Sequence, residues 1–155
     1  MGYKKKTARE KLFDSKDLPK IEKIKPNQEK LWGKGTIVIP APVEVDEIMK
    51  EIPKGKLITI NKIREKLAKK HKTNIACPIC TGIFASISAN AAEEEKAEGK
   101  REITPYWRTL RSEGELNEKY PGGIESQAKH LKEEGYIIES KGKKVRVKDF
   151  EKYLL

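Results

Sequence analysis

The chain has 155 residues, 37% of them charged, and a formal net charge of +10. That length accommodates one compact domain with an appended arm and is too short for two independent cores. The positive balance points to an anionic partner, nucleic acid first, against the plainer reading of a solvated lysine-rich surface with acids interspersed. No stretch holds the ~18 apolar residues of a membrane span and the start lacks a signal-peptide core, so a soluble cytoplasmic protein without membrane partners is expected.

Residues 1–35 carry eleven Lys/Arg against five Asp/Glu and only scattered apolar side chains, which predicts a mobile or loosely packed basic arm before a domain over 36–155. "TIVIPAP" at 36–42 reads as a short strand stopped by prolines. Val45, Ile48, Met49 and Ile52 share one helical face before Pro53 and Gly55. Thr59 is a plausible N-cap for a second helix with Ile60, Ile63 and Leu67 on one side. A third helix starts at Pro78 and repeats Ile79, Ile83, Ile87 and Ala91 every fourth residue, with small side chains between them and Gly99 as its stop. Ile124, Ala128 and Leu131 mark a fourth, closed by Gly135. "YIIES" and "KKVRV" form a hairpin turning on Lys141-Gly142, and Asp149 can cap a short terminal helix. The sum is a mainly α fold with a small β hairpin, a winged helix-turn-helix whose basic hairpin is the wing.

"CPIC" at 77–80 has the spacing of a redox motif or a zinc half-site. Zinc would need two further ligands and only His71 and His130 are on offer, so no metal or cofactor is expected and the thiols are read as small packed side chains. The stretch 78–92 contains no Lys or Arg, which leaves phosphate affinity to its flanks.

The order "EVDEIMKEIPKGKLITINKIREKLA", a small-residue helix, then "TPYWR", "SEGEL" and "YPGGIESQAKHLKEEG" resembles the DNA-binding domain of the alkylguanine-DNA alkyltransferases and their alkyltransferase-like relatives, over residues 43–135. The match is densest at Pro105, Arg108, Ser112, Gly114, Leu116, Tyr120, Gly122, Gly123, Glu134 and Gly135. The resemblance implies the fold of the alkyltransferase C-terminal domain, with duplex DNA as partner and DNA-repair proteins as further partners. In the active family a Cys-His-Arg element follows the proline, and its cysteine accepts an alkyl group from a base rotated out of the duplex. Tyr106 and Trp107 stand in those places here. A phenol with a pKa of about 10 and an indole that only donates do not replace an activated thiolate, so the protein is expected not to be an enzyme.

By the same resemblance Tyr106, Trp107, Tyr120, Pro121, Gly122 and Gly123 either line a pocket that receives a base or fill the space under the loop. DNA contacts are expected from Thr59, Lys69, Lys70, Lys72, Thr81, Ser86 and Asn90, and from Lys141, Lys143, Lys144 and Arg146 on the wing, while Arg108 and Glu134 are structural. The chain departs from the family at the arginine that enters the DNA stack, where it offers Ile79 or Thr81, and at a tyrosine replaced by Ile60. The acidic "EEEKAEGK" also stands as an insertion between the hinge asparagine, Asn90, and Tyr106. Loss of the wedge favours duplex binding without base extrusion. The expected function is a non-enzymatic DNA-binding protein recognising alkylated guanine for repair. The alternative is a winged-helix regulatory or protein-interaction module without lesion recognition, and a methyl-accepting enzyme using Cys77 or Cys80 is a third reading.

Overall fold

The computed structural model describes residues 7–155, and the chain is mainly helical with three small sheets among those residues. Thr7 opens helix α1 (Ala8–Phe13), its hydroxyl accepting the Glu10 N–H at 3.1 Å. Strand β1 (Lys20–Lys23), a helical turn α2 (Glu29–Trp32) and β2 (Thr36–Ile39) follow. Helix α3 (Pro42–Lys50) leads to β3 (Ile58–Thr59), which runs directly into α4 (Ile60–His71). Strand β4 (Ile75–Ala76) precedes the long helix α5 (Pro78–Ala97). After a 3-10 turn at Tyr106–Arg108 come β5 (Thr109–Leu110), α6 (Gly123–Glu133) and the pair β6 (Ile138–Lys141) and β7 (Lys144–Val147).

The largest core cluster lies between α3, α4 and α5 and includes Val45, Met49, Ile63, Leu67, Ala85, Ala89, Ala92 and Tyr106. A second joins Leu110, Leu116, Leu131, Tyr136, Val147 and Phe150 beneath α6 and the hairpin, and Trp107 packs against both. Gly114 is required at this second core: its φ is +82°, and a Cβ there would lie 2.3 Å from the Phe150 ring.

Of the stripe predicted to face the core, Ala91 is buried and Ile87 half-buried, but the first two isoleucines of α5 face solvent. Thr81, Ala85, Ser88, Ala89 and Ala92 are buried, whereas Ile79 and Ile83 are 66% and 53% exposed. Small side chains let α5 approach α3 closely, and that approach is fixed by polar ties. Asp46 of α3, only 2% exposed, accepts the Ser88 hydroxyl at 2.5 Å and the Thr104 hydroxyl at 2.8 Å, and its other oxygen is 3.2 Å from Lys50 Nζ. Branched isoleucines at those positions would hold the two helices apart.

The reading of residues 1–35 as a loosely packed arm is also corrected for its described part. Strand β1 pairs antiparallel with β2 from Lys20 opposite Ile39 to Lys23 opposite Thr36, and β2 pairs parallel with β4. Leu12 and Ile24 are each 2% exposed. Glu94 of α5 accepts the N–H groups of Ala8 and Arg9 at 2.8 and 3.0 Å, capping α1, and Arg9 pairs with Glu98. Backbone pairing and a carboxylate cap supply what the sparse apolar content does not. Lys4, Lys5 and Lys6 of that expected arm lie outside the described residues.

Two local expectations shift slightly. The hairpin turns on Gly142 and Lys143, because Lys141 pairs opposite Lys144. Asp149 adopts a left-handed φ of +55° and its carboxylate lies 3.8 Å from Lys152 Nζ, so it opens the 3-10 helix Phe150–Tyr153 without a side-chain cap.

Candidate functional site

Pro105 starts the turn that holds Tyr106, Trp107 and Arg108, and the three side chains leave it in different directions. Tyr106 points into the larger core and is fully buried; its hydroxyl donates to Glu93 Oε1 of α5 at 2.7 Å. Burial first, and then the Glu93 carboxylate, push its pKa well above the usual phenol range, so it stays protonated and is no nucleophile. Its ring meets Tyr120 edge-on with centroids 5.5 Å apart. Tyr120 is 2% exposed and donates to the Thr109 carbonyl at 3.3 Å. In this structure the Tyr106 and Tyr120 rings pack against each other beneath the loop, and neither is open to solvent. Helix α5 runs on past Asn90 to Ala97, and this stretch carries Glu93 over the Tyr106 hydroxyl. Pro121 is half-buried, and Gly122 and Gly123, both left-handed at φ +77° and +69°, turn the chain into α6.

Trp107 lies half-buried and stacked on His130, with centroids 4.2 Å apart and planes 11° from parallel. Its Nε1 donates to Glu134 Oε2 at 2.9 Å. Arg108 forks onto the same carboxylate, Nη2 donating to Oε2 at 2.7 Å, and its Nη1 donates to the Ile52 carbonyl at 2.7 Å. Burial raises the pKa of Glu134, but the hydrogen bonds from Arg108 and Trp107 outweigh it and hold the carboxyl below its ordinary range. Arg108 and Glu134 thus tie the loop to α6 and to the segment after α3. Gln127 escaped the sequence reading. Fully buried, it donates to the carbonyls of Trp107 at 3.1 Å and Thr109 at 3.3 Å and accepts the Asn117 N–H at 2.7 Å. Only its place on the inward face of α6, between Ile124 and Leu131, could have signalled it.

The expected DNA contacts separate into two groups. Thr59 is buried as the N-cap of α4, accepting the Lys62 N–H at 3.3 Å, and Thr81 is fully buried with its hydroxyl on the Cys77 carbonyl at 2.7 Å. Neither reaches a partner, and the burial of Thr81 leaves Ile79 as the projecting residue at the start of α5. Lys69 and Lys72 are exposed at the far end of α4, where Lys70 is drawn to Glu44 at 2.7 Å. On the hairpin Lys141 and Lys143 are exposed without ion pairs among the described residues. Lys144 lies 3.5 Å from Glu115, and Arg146 2.9 Å from Glu139. Ser86 and Asn90 face a groove of about 850 Å³ along the outer side of α5, together with Ile60, Ile79, Ile83 and Ile87.

Cys77 caps α5, its sulfur accepting the Cys80 N–H at 3.4 Å. Burial and then the Cys77 sulfur push the Cys80 thiol up to about 12. Among the described residues no group of His, Cys, Asp and Glu is placed to hold a metal ion, and no helix is long and apolar enough to cross a membrane.

The fold is similar to that of an alkyltransferase-like protein. The chain is similar in structure to Atl1 of S. pombe, solved in complex with damaged DNA containing O6-carboxymethylguanine, with 20% identity over 74% of this chain and 93% of that one and a TM-score of 0.50. A second S. pombe ATL structure, in complex with DNA, aligns over the same shares at 19% identity and a TM-score of 0.47. At the level of sequence, neither a protein-family model nor a curated protein matches the chain.

Proposed function

We propose that this chain is a non-enzymatic, alkyltransferase-like protein that binds duplex DNA through basic surfaces flanking α5 and does not extrude a base. The observation that carries the proposal is the set of unpaired lysines, Lys66 and Lys69 on the outer side of α4 and Lys141 and Lys143 at the hairpin tip, in a chain of net charge +10 with this fold. In this reading the β6–β7 hairpin is the wing of a winged helix, and its tip lysines neutralise phosphates.

The energetics support the reading without extrusion. Seating a base at the Pro105 turn requires Tyr106 to leave its buried hydrogen bond, at about 1–3 kcal/mol, and the flipped base adds a few kcal/mol of unstacking. Stacking on Trp107 returns only ~1–3 kcal/mol, and one face of that ring is already taken by His130. No thiolate stands at the turn to accept an alkyl group, and Tyr106 is held protonated.

Anisotropy titrations of a short labelled duplex at several salt concentrations test the DNA-binding reading. Lys141→Glu with Lys143→Glu is expected to weaken binding about tenfold or more for all sequences alike and to flatten the salt dependence by about two phosphate contacts. Duplex affinity that is unchanged in this variant and in Lys66→Glu with Lys69→Glu would reject the proposal. A second reading, a protein-interaction module, is favoured by one observation, the exposed isoleucines of α5.

A further inference from the structure

Cys77 and Cys80, the "CPIC" pair that neither the proposed DNA contacts nor the Pro105 turn uses, meet at the first turn of α5. Cys77 is the N-cap, and its φ of −57° and ψ of 118° fold its side chain over that turn, so that the sulfur accepts the Cys80 N–H at 3.4 Å. Pro78 between them brings no N–H to compete for the sulfur. The backbone of Cys77 is held on both sides: its N–H donates to the Val38 carbonyl of β2 at 2.9 Å, and its carbonyl accepts the Thr81 N–H at 3.1 Å and the Thr81 hydroxyl at 2.7 Å. Residues three apart on a helical turn have Cα atoms about 5 Å apart, inside the range of about 4.4–6.8 Å that a disulfide spans. Joining the two sulfurs is therefore a matter of side-chain rotation, not of backbone movement.

The surroundings make Cys77 the reacting thiol. The Cys80 N–H and the start of α5 present positive ends to its sulfur. Arg64 of α4 adds a full charge: its Nε donates to the Ala76 carbonyl at 3.0 Å, and burial lowers its pKa while attraction to the Cys77 sulfur works the other way. A thiol in such electropositive surroundings is the reactive kind. Its reagent must be small, since Cys77 is 7% exposed and lies in one cluster with Ile24, Ile37 and Trp32. Cys80, half-buried, is the second partner: burial and then the Cys77 sulfur push its thiol up to about 12, and once Cys77 is an uncharged sulfenic acid the second of these causes is gone. We propose that Cys77 and Cys80 form a reversible dithiol–disulfide pair that is oxidised by hydroperoxides. In the first step the Cys77 sulfur attacks the O–O bond of hydrogen peroxide, becomes a sulfenic acid and releases one water. In the second the Cys80 sulfur attacks Cys77, the Cys80 proton leaves with the Cys77 hydroxyl as another water, and the S–S bond forms. The two thiols give up two electrons and the peroxide is reduced to water; a dithiol reductant reopens the bond by exchange. The pair stands or falls separately from the DNA reading, because its readout is the mass of the protein itself.

The test treats the reduced full chain with hydrogen peroxide, alkylates the remaining thiols in denaturant and reads the intact mass. The folded parent is expected to lose both alkylatable thiols together with two hydrogens, to remain a single chain, to react faster than the same chain unfolded in guanidinium, and to regain both thiols in dithiothreitol. Cys77→Ser keeps a preferred helix cap and should leave Cys80 alkylatable after the same treatment. Cys80→Ser should halt at the sulfenic acid, read as a dimedone adduct on Cys77. Arg64→Gln should slow the first step severalfold. The proposal is overturned if the folded parent keeps both thiols under peroxide that oxidises the unfolded chain, if the disulfide joins two chains, if Cys80→Ser takes no dimedone at Cys77, or if Arg64→Gln leaves the rate unmoved.

Discussion

The two sides of α5 differ in a way that hydrophobicity alone misleads. Thr81, Ala85, Ser88, Ala89 and Ala92 are buried, while Ile79 and Ile83 face solvent. The inner side is selected for closeness, because α3 and the Pro105 turn can reach it only if its side chains are short. Its polar members are tolerated because Asp46 and the Cys77 carbonyl satisfy them. The outer side has no such constraint and keeps the bulk. A stripe at fourfold spacing therefore shows that a helix has two faces without showing which of them is inside.

The strongest way to break this contrast is at its anchor. Asp46→Ala is expected to cost about 3 kcal/mol in chemical denaturation, since it strands the buried hydroxyls of Ser88 and Thr104 together. Ala89→Leu should cost about 1–3 kcal/mol by overpacking the α3 contact. Tyr106→Phe removes the hydroxyl from Glu93 and should cost about 1 kcal/mol, with duplex affinity unchanged. At the outer face Ile83→Ala should stay within about 0.5 kcal/mol of the parent in either direction. A large loss from Ile83→Ala, or none from Ala89→Leu, would invert the assignment of the two faces.

Titration sharpens the same contrast at the buried ties. His130 is lowered from 6.5, by burial first and then by Lys96, so the folded chain resists protonation there. Stability from that group is complete above the unfolded value and falls as the pH drops toward the folded one. Glu44 and Glu134 are lowered from 4.5: burial raises each, but hydrogen bonds from Lys70, Ala41 and His71 in one case and from Arg108 and Trp107 in the other prevail. Their contribution is present above 4.5 and lost as the pH falls through their folded values. Urea titrations across the acid range should show stability declining in two stages, one as the pH falls from 6.5 toward the folded His130 value and one as it falls from 4.5 toward the folded values of the glutamates. Glu134→Gln should flatten the second stage.

Local signals were legible in the sequence. Thr59 caps α4, Pro78 is the first residue of α5, Gly99 follows its end, and the hairpin lies where alternation and Gly142 place it. Each rests on residues within a few positions of one another. The signals that failed are carried across the chain. Strand β1 joins the sheet through β2, Glu94 caps a helix more than eighty residues upstream, and Glu93 closes over Tyr106. Pocket lining and core filling at Tyr106 stay two open readings in the sequence because no pattern in "TPYWR" says which way the ring turns; the hydrogen bond to Glu93 that turns it inward comes from a separate helix.

The claim that the Pro105 turn is a filled site, with DNA held by the flanks of α5, is tested most directly by one paired titration. Two labelled duplexes of the same sequence, one with a single O6-alkylguanine and one without, are titrated with the parent chain under the same salt. The account expects equal affinity, within about twofold, because Tyr106 and Tyr120 leave no seat for the base. A preference of about tenfold or more for the alkylated duplex, abolished by Trp107→Ala, would show that the turn opens to receive the base and would contradict it.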